Sequence, residues 1–388
     1  MARSGLSEGA LFAVQGWLPA ARAEGLVAAV ARDGPDAALR IETPGPGDHP
    51  PTLIRYRRWA RPVDALFRML NMVPGYEEPE ASSIFMLAIP LFAGMIIGDA
   101  GYGLLFILAG LLARQRLARD LAPEVPVLLH LFGAAALAWG ALTGVWFGVT
   151  PAQMMSAGAG PGVGIGALGA ALDHLQLVRG NDEEVRTLLI QICFGIGALH
   201  LLVAHVARAL ELAPDRRAVA EAGWCVVLVA MLGVIWVLFF GAAGAPGWVV
   251  PASLAGLVAG VGVVAWFGEP EGPLPRRLAL GFAGSLLPFL GTFSDTLSYI
   301  RLMAVGLASY YLGSTFNLLA ISLAESTSWL LAGLVLVAGH GLNIGLILIA
   351  IFAHGIRLNL LEFSSNAGIH WTGYAYRPFS DRTVKEQA

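Results

Sequence analysis

The chain has 388 residues, a formal net charge of -3 and a pI near 6.2, which excludes a basic field that would recruit nucleic acid. Hydrophobic residues make up 56% of it and charged ones 13%, and the mean hydropathy of +0.68 excludes an ordinary soluble domain. The composition reads as an α-helical polytopic membrane protein.

The N-terminus, MARSGLSEGALFAVQG, lacks the basic start and long apolar core of a cleaved signal peptide, so the first region is expected in the cytoplasm. From Leu11 to Thr43 the pattern predicts a strand (LFAVQGWLP), an amphipathic helix (AARAEGLVAAVARDG) and a second strand (AALRIET). Such an α/β unit is too short to bury a substantial core, and is expected to lean on another chain or on a further part of its own domain. A turn segment, PGPGDHPP, comes next. Residues 1–80 are read as this cytoplasmic unit, and residues 81–388 as a transmembrane domain.

From Ser83 onward, long apolar runs alternate with Arg-bearing loops. Arg55, Arg57, Arg58 and Arg61 form one cluster; Arg114, Arg116 and Arg119 a second; Arg208, Arg216 and Arg217 a third; Arg276 and Arg277 a fourth. If all face the cytoplasm, an even number of crossings separates each pair, and about eight crossings fit, with both termini cytoplasmic. The first interval, Ser83 to Leu112, is about 45 Å long as a helix, too long for one simple span and short for two. It predicts a hairpin of short or kinked segments hinged near Gly98 to Gly103. The Gly-rich stretch from Pro151 to Leu172 has no GK[ST] after it and no strand before it, so it is read as a flexible or weakly apolar external loop rather than a phosphate cradle.

The last interval holds two very long helices with polar residues inside them. Arg301 stands 24 residues from both Arg277 and Glu325, about 36 Å along a helix, too far to snorkel. The apolar stretch from Leu278 to Ala324 would reach about 70 Å if unbroken, so it must be tilted, broken or partly outside the bilayer, and strong tilt is the expectation. An Arg at helix centre costs about 2.5 to 3.5 kcal/mol and must face a partner or water. It is suited to attracting a carboxylate on a partner and unsuited to carrying a proton. A structural role, tied to backbone carbonyls or to Asp295, stands equal to that reading. Ser294, Ser298, Arg301, Ala308, Ser309 and Leu312 share one face at helical spacing.

In the final helix, His340, Asn343, Ile347, His354 and Arg357 fall close to one stripe. Arg357 is near the cytoplasmic end, where snorkelling competes with function. His354 is read either as a proton relay or as a hydrogen-bonded core histidine. No HExxH, DxDxDG, Walker or nucleophile-elbow pattern occurs, so neither a metal nor a cofactor is expected, nor hydrolytic chemistry by this chain. Cys193 and Cys225 lie in apolar segments and are expected to pack as core residues.

Several stretches, in order, resemble the membrane subunit of rotary V/A-type ATPases, called subunit a or subunit I. They are GWLP at Gly16, PPTL at Pro50, RP at Arg61, FAGMIIGDAGYGLL at Phe92, TGVWFG at Thr143, GIGALHL at Gly195, SDTLSYIRLMAVGLA at Ser294, GHGLN at Gly339 and HGIRLNLLEF at His354. The resemblance covers essentially the whole chain, and the Ser294 and His354 motifs are the specific ones.

It implies a non-catalytic stator subunit in a bacterial plasma membrane, set against a rotating proteolipid ring whose subunits each carry an ion-binding carboxylate. Two offset half-channels would lead to that interface. The resemblance assigns ion translocation to Arg301, Arg357, His354 and Glu362. Asp295, Ser294, Ser298, Asn343, His340 and Asp99 are the half-channel or supporting polar candidates. It also implies contact with lipid, peripheral stalk subunits and the other rotary ATPase subunits. Some family members carry an acidic residue two turns before the final His-x-x-Arg; here Leu346 and Ile347 occupy that place. Members also carry a long N-terminal arm, most of which is absent here, so a separately encoded arm is a further expected partner. The runner-up reading is a stand-alone secondary transporter or ion channel with an intramembrane Arg site. The Gly-broken segment at Gly98 lacks the second-half counterpart that inverted repeats would give. A paralogue that only scaffolds or inhibits assembly stands as a third possibility.

Overall fold

A computed structural model of the chain describes residues 5–8, 11–34, 37–45, 47–116, 122–157, 164–241, 244–268 and 273–376. Arg119, Pro46 of the turn segment, 158–163 of the Gly-rich stretch and the basic tail 377–388 lie outside these residues. The described residues form two compact units: those within 1–56, 67–80 and 369–376 make one, and those within 57–66 and 81–368 the other.

The larger unit is helical because its apolar runs can satisfy every backbone N–H and C=O internally only as helices. Helices long and apolar enough to cross a membrane cover Glu124–Thr143, Asp182–Leu212, Arg217–Phe240, Val249–Phe267, Leu274–Ser326 and Trp329–Asn366. Ahead of them come the short α2 (Val63–Met69) and then α3 (Ser82–Ile97) and α4 (Ala100–Arg116), the last two of 16 and 17 residues, the short pair expected from the interval length. The hinge between them is narrower than the glycine run suggests. Gly98, at φ +66, and Asp99 alone separate the helices, while Gly101 and Gly103 are helical. Those two glycines serve packing instead. A Cβ at Gly103 would sit 2.5 Å from the Leu137 nitrogen in α5 (Glu124–Thr143), and one at Gly101 would sit 2.4 Å from the Phe147 ring.

Within the stretch expected as a flexible or weakly apolar external loop, two short helices form, α6 (Pro151–Ala157) and α7 (Gly164–Asp173). They approach closely at Gly169, where a Cβ would meet Met154 at 2.8 Å. Next, α8 (Asp182–Leu212) starts in a capping box of Asn181 and Glu184. It is followed by α9 (Arg217–Phe240) and α10 (Val249–Phe267). Phe194, Met231 and Ile235 form an apolar core against which Phe289, Phe293, Leu297 and Ile300 pack.

The long segment after Pro273 is interrupted at a single residue, Tyr299, which divides it into α11 (Leu274–Ser298) and α12 (Ile300–Ser326). The last segment starts as α13 (Trp329–Ala350), capped by the Ser328 side chain. It then becomes π-helical over Ile351–Ile356 and Leu358–Phe363, before a final turn, α14 (Ser364–Asn366).

The smaller unit departs from its expected β-α-β order. The strand β2 (Leu11–Val14) forms, but its antiparallel partner is β1 (Gly5–Glu8), and residues 37–43 make no ladder. A lone strand gains nothing without an edge to pair with, and Leu39 and Ile41 are 41% and 51% exposed. The amphipathic helix does form, as α1 (Ala23–Asp33), yet buries none of its residues. Order in this unit comes from residues 371–376, stitched onto the segments around Thr52 and Val73. Thr52 N donates to Tyr374 O at 2.9 Å, Tyr376 N to Thr52 O at 2.9 Å and Gly373 N to Val73 O at 3.1 Å.

Glu78 clamps that seam, accepting from Gly75 N at 2.8 Å, Trp371 N at 3.0 Å and the Thr372 hydroxyl at 3.0 Å. Partial burial pushes its carboxyl up, but the hydrogen bonds to the ionised form outweigh burial and hold it below the usual glutamate value. The clamp is therefore complete above the ordinary glutamate range and is lost as pH falls through the lowered value. Glu78→Ala should cost about 2 kcal/mol locally and speed amide exchange at Trp371 in the assembled protein. An unchanged exchange rate would show that the seam holds without it.

Candidate functional site

Arg301 is the second residue of α12, and the break before it is anchored from one side. Tyr299 is fully buried; its hydroxyl lies 2.7 Å from His200 Nδ1, and its ring fills the space that a Cβ at Gly197 would need. The His200 imidazole stacks on Phe363, with centroids 4.6 Å apart. The interruption thus joins α8, the start of α12 and the π-helical segment at one point. Arg301 itself has a buried Nη1 with no hydrogen-bond partner. The tie to Asp295 does not form, and no ion pair joins the two among the described residues. Asp295 Oδ2 instead accepts from Asn366 Nδ2 at 2.9 Å.

On the facing segment, Arg357 Nε lies 3.7 Å from Glu362 Oε1, the Arg side chain 51% exposed and the Glu side chain 4%. Glu362 Oε2, His354 Nδ1 and Asn359 Oδ1 are buried without partners. Arg301 acts electrostatically on both Glu362 and His354, and Asp295 also acts on Glu362. Arg301, Arg357, His354, Glu362 and Asp295 therefore belong to one electrostatic cluster. Its guanidinium and carboxylate groups keep unfilled hydrogen-bonding capacity in a setting where most buried polar atoms are paired.

The single stripe expected on the final helix is broken by the π-helical turns, which rotate the residues after Ile351 relative to an α-helical ladder. Asn343 and Ile347 are buried, His354 is half-buried and Arg357 is exposed. The face of Arg301 is likewise mixed: Ser309 is buried, while Ser294 and Ala308 are exposed. The Ser298 hydroxyl donates to Ser294 O at 3.1 Å, so it serves its own helix.

His340 and Asn343 belong to a second network. Asn317 Nδ2 donates to Phe147 O at 2.7 Å, which leaves Asn317 Oδ1 to accept from His340 Nε2 at 3.0 Å. His340 Nδ1 then accepts a hydrogen bond from the Tyr102 hydroxyl at 2.6 Å, and the Tyr102 oxygen accepts from Asn343 Nδ2 at 2.9 Å. Every donor meets an acceptor with His340 neutral and carrying its proton on Nε2. Asn343 also donates to Ser309 O at 2.9 Å, which links α4, α12 and α13.

Asp99 anchors the base of this network. Its Oδ1 accepts from Gly101 N at 2.7 Å, Tyr102 N at 3.1 Å and Phe147 N at 2.8 Å, and its Oδ2 accepts from Gly148 N at 2.7 Å. The carboxylate caps α4 and fixes the loop after α5.

Tyr102, Tyr299, His200 and Asn317 are site residues that sequence reasoning misses. Tyr299, Tyr102 and His200 sit inside the SDTLSYIR, GDAGYG and GIGALHL motifs and are legible there as motif members, whereas Asn317 gains meaning only from a partner 170 residues away.

No family model matches the chain. It is 34% identical over 378 residues, 94% of its length, to the V-type ATP synthase subunit I of Borreliella burgdorferi. It is 31% identical over 374 residues to V-type ATP synthase subunit I 1 of Treponema pallidum, and 24% identical over 415 residues to the A-type ATP synthase subunit I of Archaeoglobus fulgidus. The chain spans 58 to 59% of the length of these relatives.

Proposed function

Because the chain belongs, over the region it spans, to the family of V-type and A-type ATP synthase subunit I, we propose that it is the non-catalytic stator membrane subunit of a rotary ATPase or ATP synthase. Its long, tilted last two segments face a rotating proteolipid ring, and Arg301 engages each ring carboxylate as it arrives. The observation that carries this reading is the Arg301 guanidinium, which reaches the middle of an apolar segment with a buried nitrogen left unpaired. A half-buried guanidinium whose Nη1 lacks a hydrogen-bond acceptor is costly, and an intermolecular carboxylate supplies one.

Glu362, paired with Arg357, and His354 tune the field around that encounter. Asp295 and the Ser294–Ser298 turn border the inner approach. The Tyr102–His340–Asn343 network, braced by Asp99, borders the outer approach, and the guanidinium between the two blocks direct passage of ions. The Arg-bearing loops face the cytoplasm of a bacterial plasma membrane. The exposed apolar residues of the smaller unit, Val27 and Ile41 among them, give stalk subunits or an arm-like polypeptide a surface to dock on.

Purification in mild detergent tests the assembly. Recovery with a proteolipid ring and stalk subunits is expected. A chain recovered alone, yet still carrying ions in vesicles, would make it a stand-alone transporter. Recovery with ring and stalk but no arm-like chain would remove the arm from the scheme.

A further inference from the structure

A cavity of about 160 Å³ opens among α8, α9, α11 and α14, in a region that the sequence motifs do not mark. It has room for several waters and is lined by His205, Glu221, Trp224, Thr292, Ser365 and Asn366. Two hydrogen-bonded pairs border it. His205 Nδ1 meets Glu221 Oε2 at 2.9 Å, with side chains only 6% and 20% exposed, and the Asn366 amide donates to Asp295. His205 stacks on Trp224, which fixes the ring plane, and its Nε2 is buried without a partner. His205 and Asp295 also interact electrostatically.

The cavity lies close to the α8–α9 connection that carries Arg216 and Arg217, since His205 is about 12 Å along the helix from Ala213. Asp295, held by the cavity-lining Asn366, precedes Arg301 across the break at Tyr299.

We propose that this cavity is the cytoplasmic vestibule for protons, with Glu221 and His205 as the relay that feeds Asp295. This inference rests on the rotary reading and gives its inner half-channel named residues. A proton taken up by the Glu221 carboxylate passes to His205 Nδ1. The imidazolium releases its Nε2 proton to cavity water, from which Asp295 accepts it. Each transfer leaves the bonding pair on the donor, so charge balances without a further reactant, and the imidazole resets by exchange through the same water. An imidazole and a carboxylate at hydrogen-bond distance are suited to this exchange. Among the described residues no cluster of three His, Cys, Asp or Glu side chains offers a cage for a metal cation.

The test uses the assembled complex in inverted membrane vesicles, with Cys193→Ala and Cys225→Ala removing the native thiols. Thr292 is only 4% exposed, so Thr292→Cys should react with a charged, membrane-impermeant thiol reagent only if the cavity is hydrated from the cytoplasmic face. Reaction from that face, with at least a tenfold fall in ATP-driven acidification, is the expected result. Glu221→Gln should slow acidification about tenfold, and Glu221→Asp should restore most of it. An unreactive Thr292→Cys, or Glu221→Gln at full rate in a complex of normal composition, would overturn the vestibule. Arg301→Ala is measured in parallel: if that variant still pumps, the rotary reading fails, whereas if it alone is inactive, only the vestibule fails.

Discussion

Replacing Arg301 by Ala should reduce ATP-driven ion transport by at least about 100-fold, the consequence of losing roughly 2.7 kcal/mol of charge complementarity at the encounter. Thermal stability supplies the second half of this prediction. A guanidinium that held the helices together would, on removal, cost stability. Here Nη1 has no hydrogen-bond partner and no ion pair holds Arg301 among the described residues, so Arg301→Ala breaks no direct contact and should leave the melting temperature of the detergent-purified subunit unchanged. Arg301→Lys separates charge from geometry. An ammonium keeps the charge but lacks the planar fork that meets a carboxylate through two N–H groups, so transport should stay severely impaired. Transport retained in Arg301→Ala, or lost only together with stability, would make the residue structural.

Asp99→Ala should act in the opposite way, through folding. Four backbone N–H groups, at the start of α4 and in the loop after α5, converge on this one carboxylate. Leaving them unpaired costs about 1 to 3 kcal/mol each, so the total exceeds about 4 kcal/mol even if some relax toward water. Asp99→Asn keeps an acceptor for the three N–H groups that meet Oδ1 and turns its NH₂ on Gly148 N alone, so it should cost less than Asp99→Ala. Asp99→Ala should fail to assemble, which size-exclusion chromatography of the purified complex would show as loss of the subunit. A normally assembled Asp99→Ala complex with impaired transport alone would place Asp99 in the ion path rather than in the frame.

A feature is legible in sequence to the extent that it does not depend on partners. Apolar runs, a charged loop every two spans and an Arg out of snorkelling range are local, and they are enough for the helical membrane fold and for Arg301. The hinge at Gly98 is legible because an αL residue must end a short helix there, but the glycines after it are contact points with α5 and Phe147. The π-helical turns at 351–363 are not legible, since 3.6-residue periodicity carries no sign of an inserted residue, and the stripe from His340 to Arg357 is less straight in the structure than its spacing implies. The strand expected at 37–43 fails because a strand is a property of a pair. His205 and Glu221 stay hidden because a pair 16 residues apart, across a helical turnaround, matches no fixed spacing.

The central claim is that Arg301 meets a carboxylate on a moving partner, and cross-linking across that contact tests it most directly. Ala304 and Ala308 are exposed on α12, three and seven residues beyond the arginine. With native thiols removed, Ala304→Cys or Ala308→Cys should form a disulfide with a cysteine placed beside the ring carboxylate. The bond should stop ATP hydrolysis and transport together, and reduction should restore both. If neither position cross-links to the ring while a cysteine on an exposed residue of α10, such as Val258, does, then Arg301 does not face the rotor and the account is wrong.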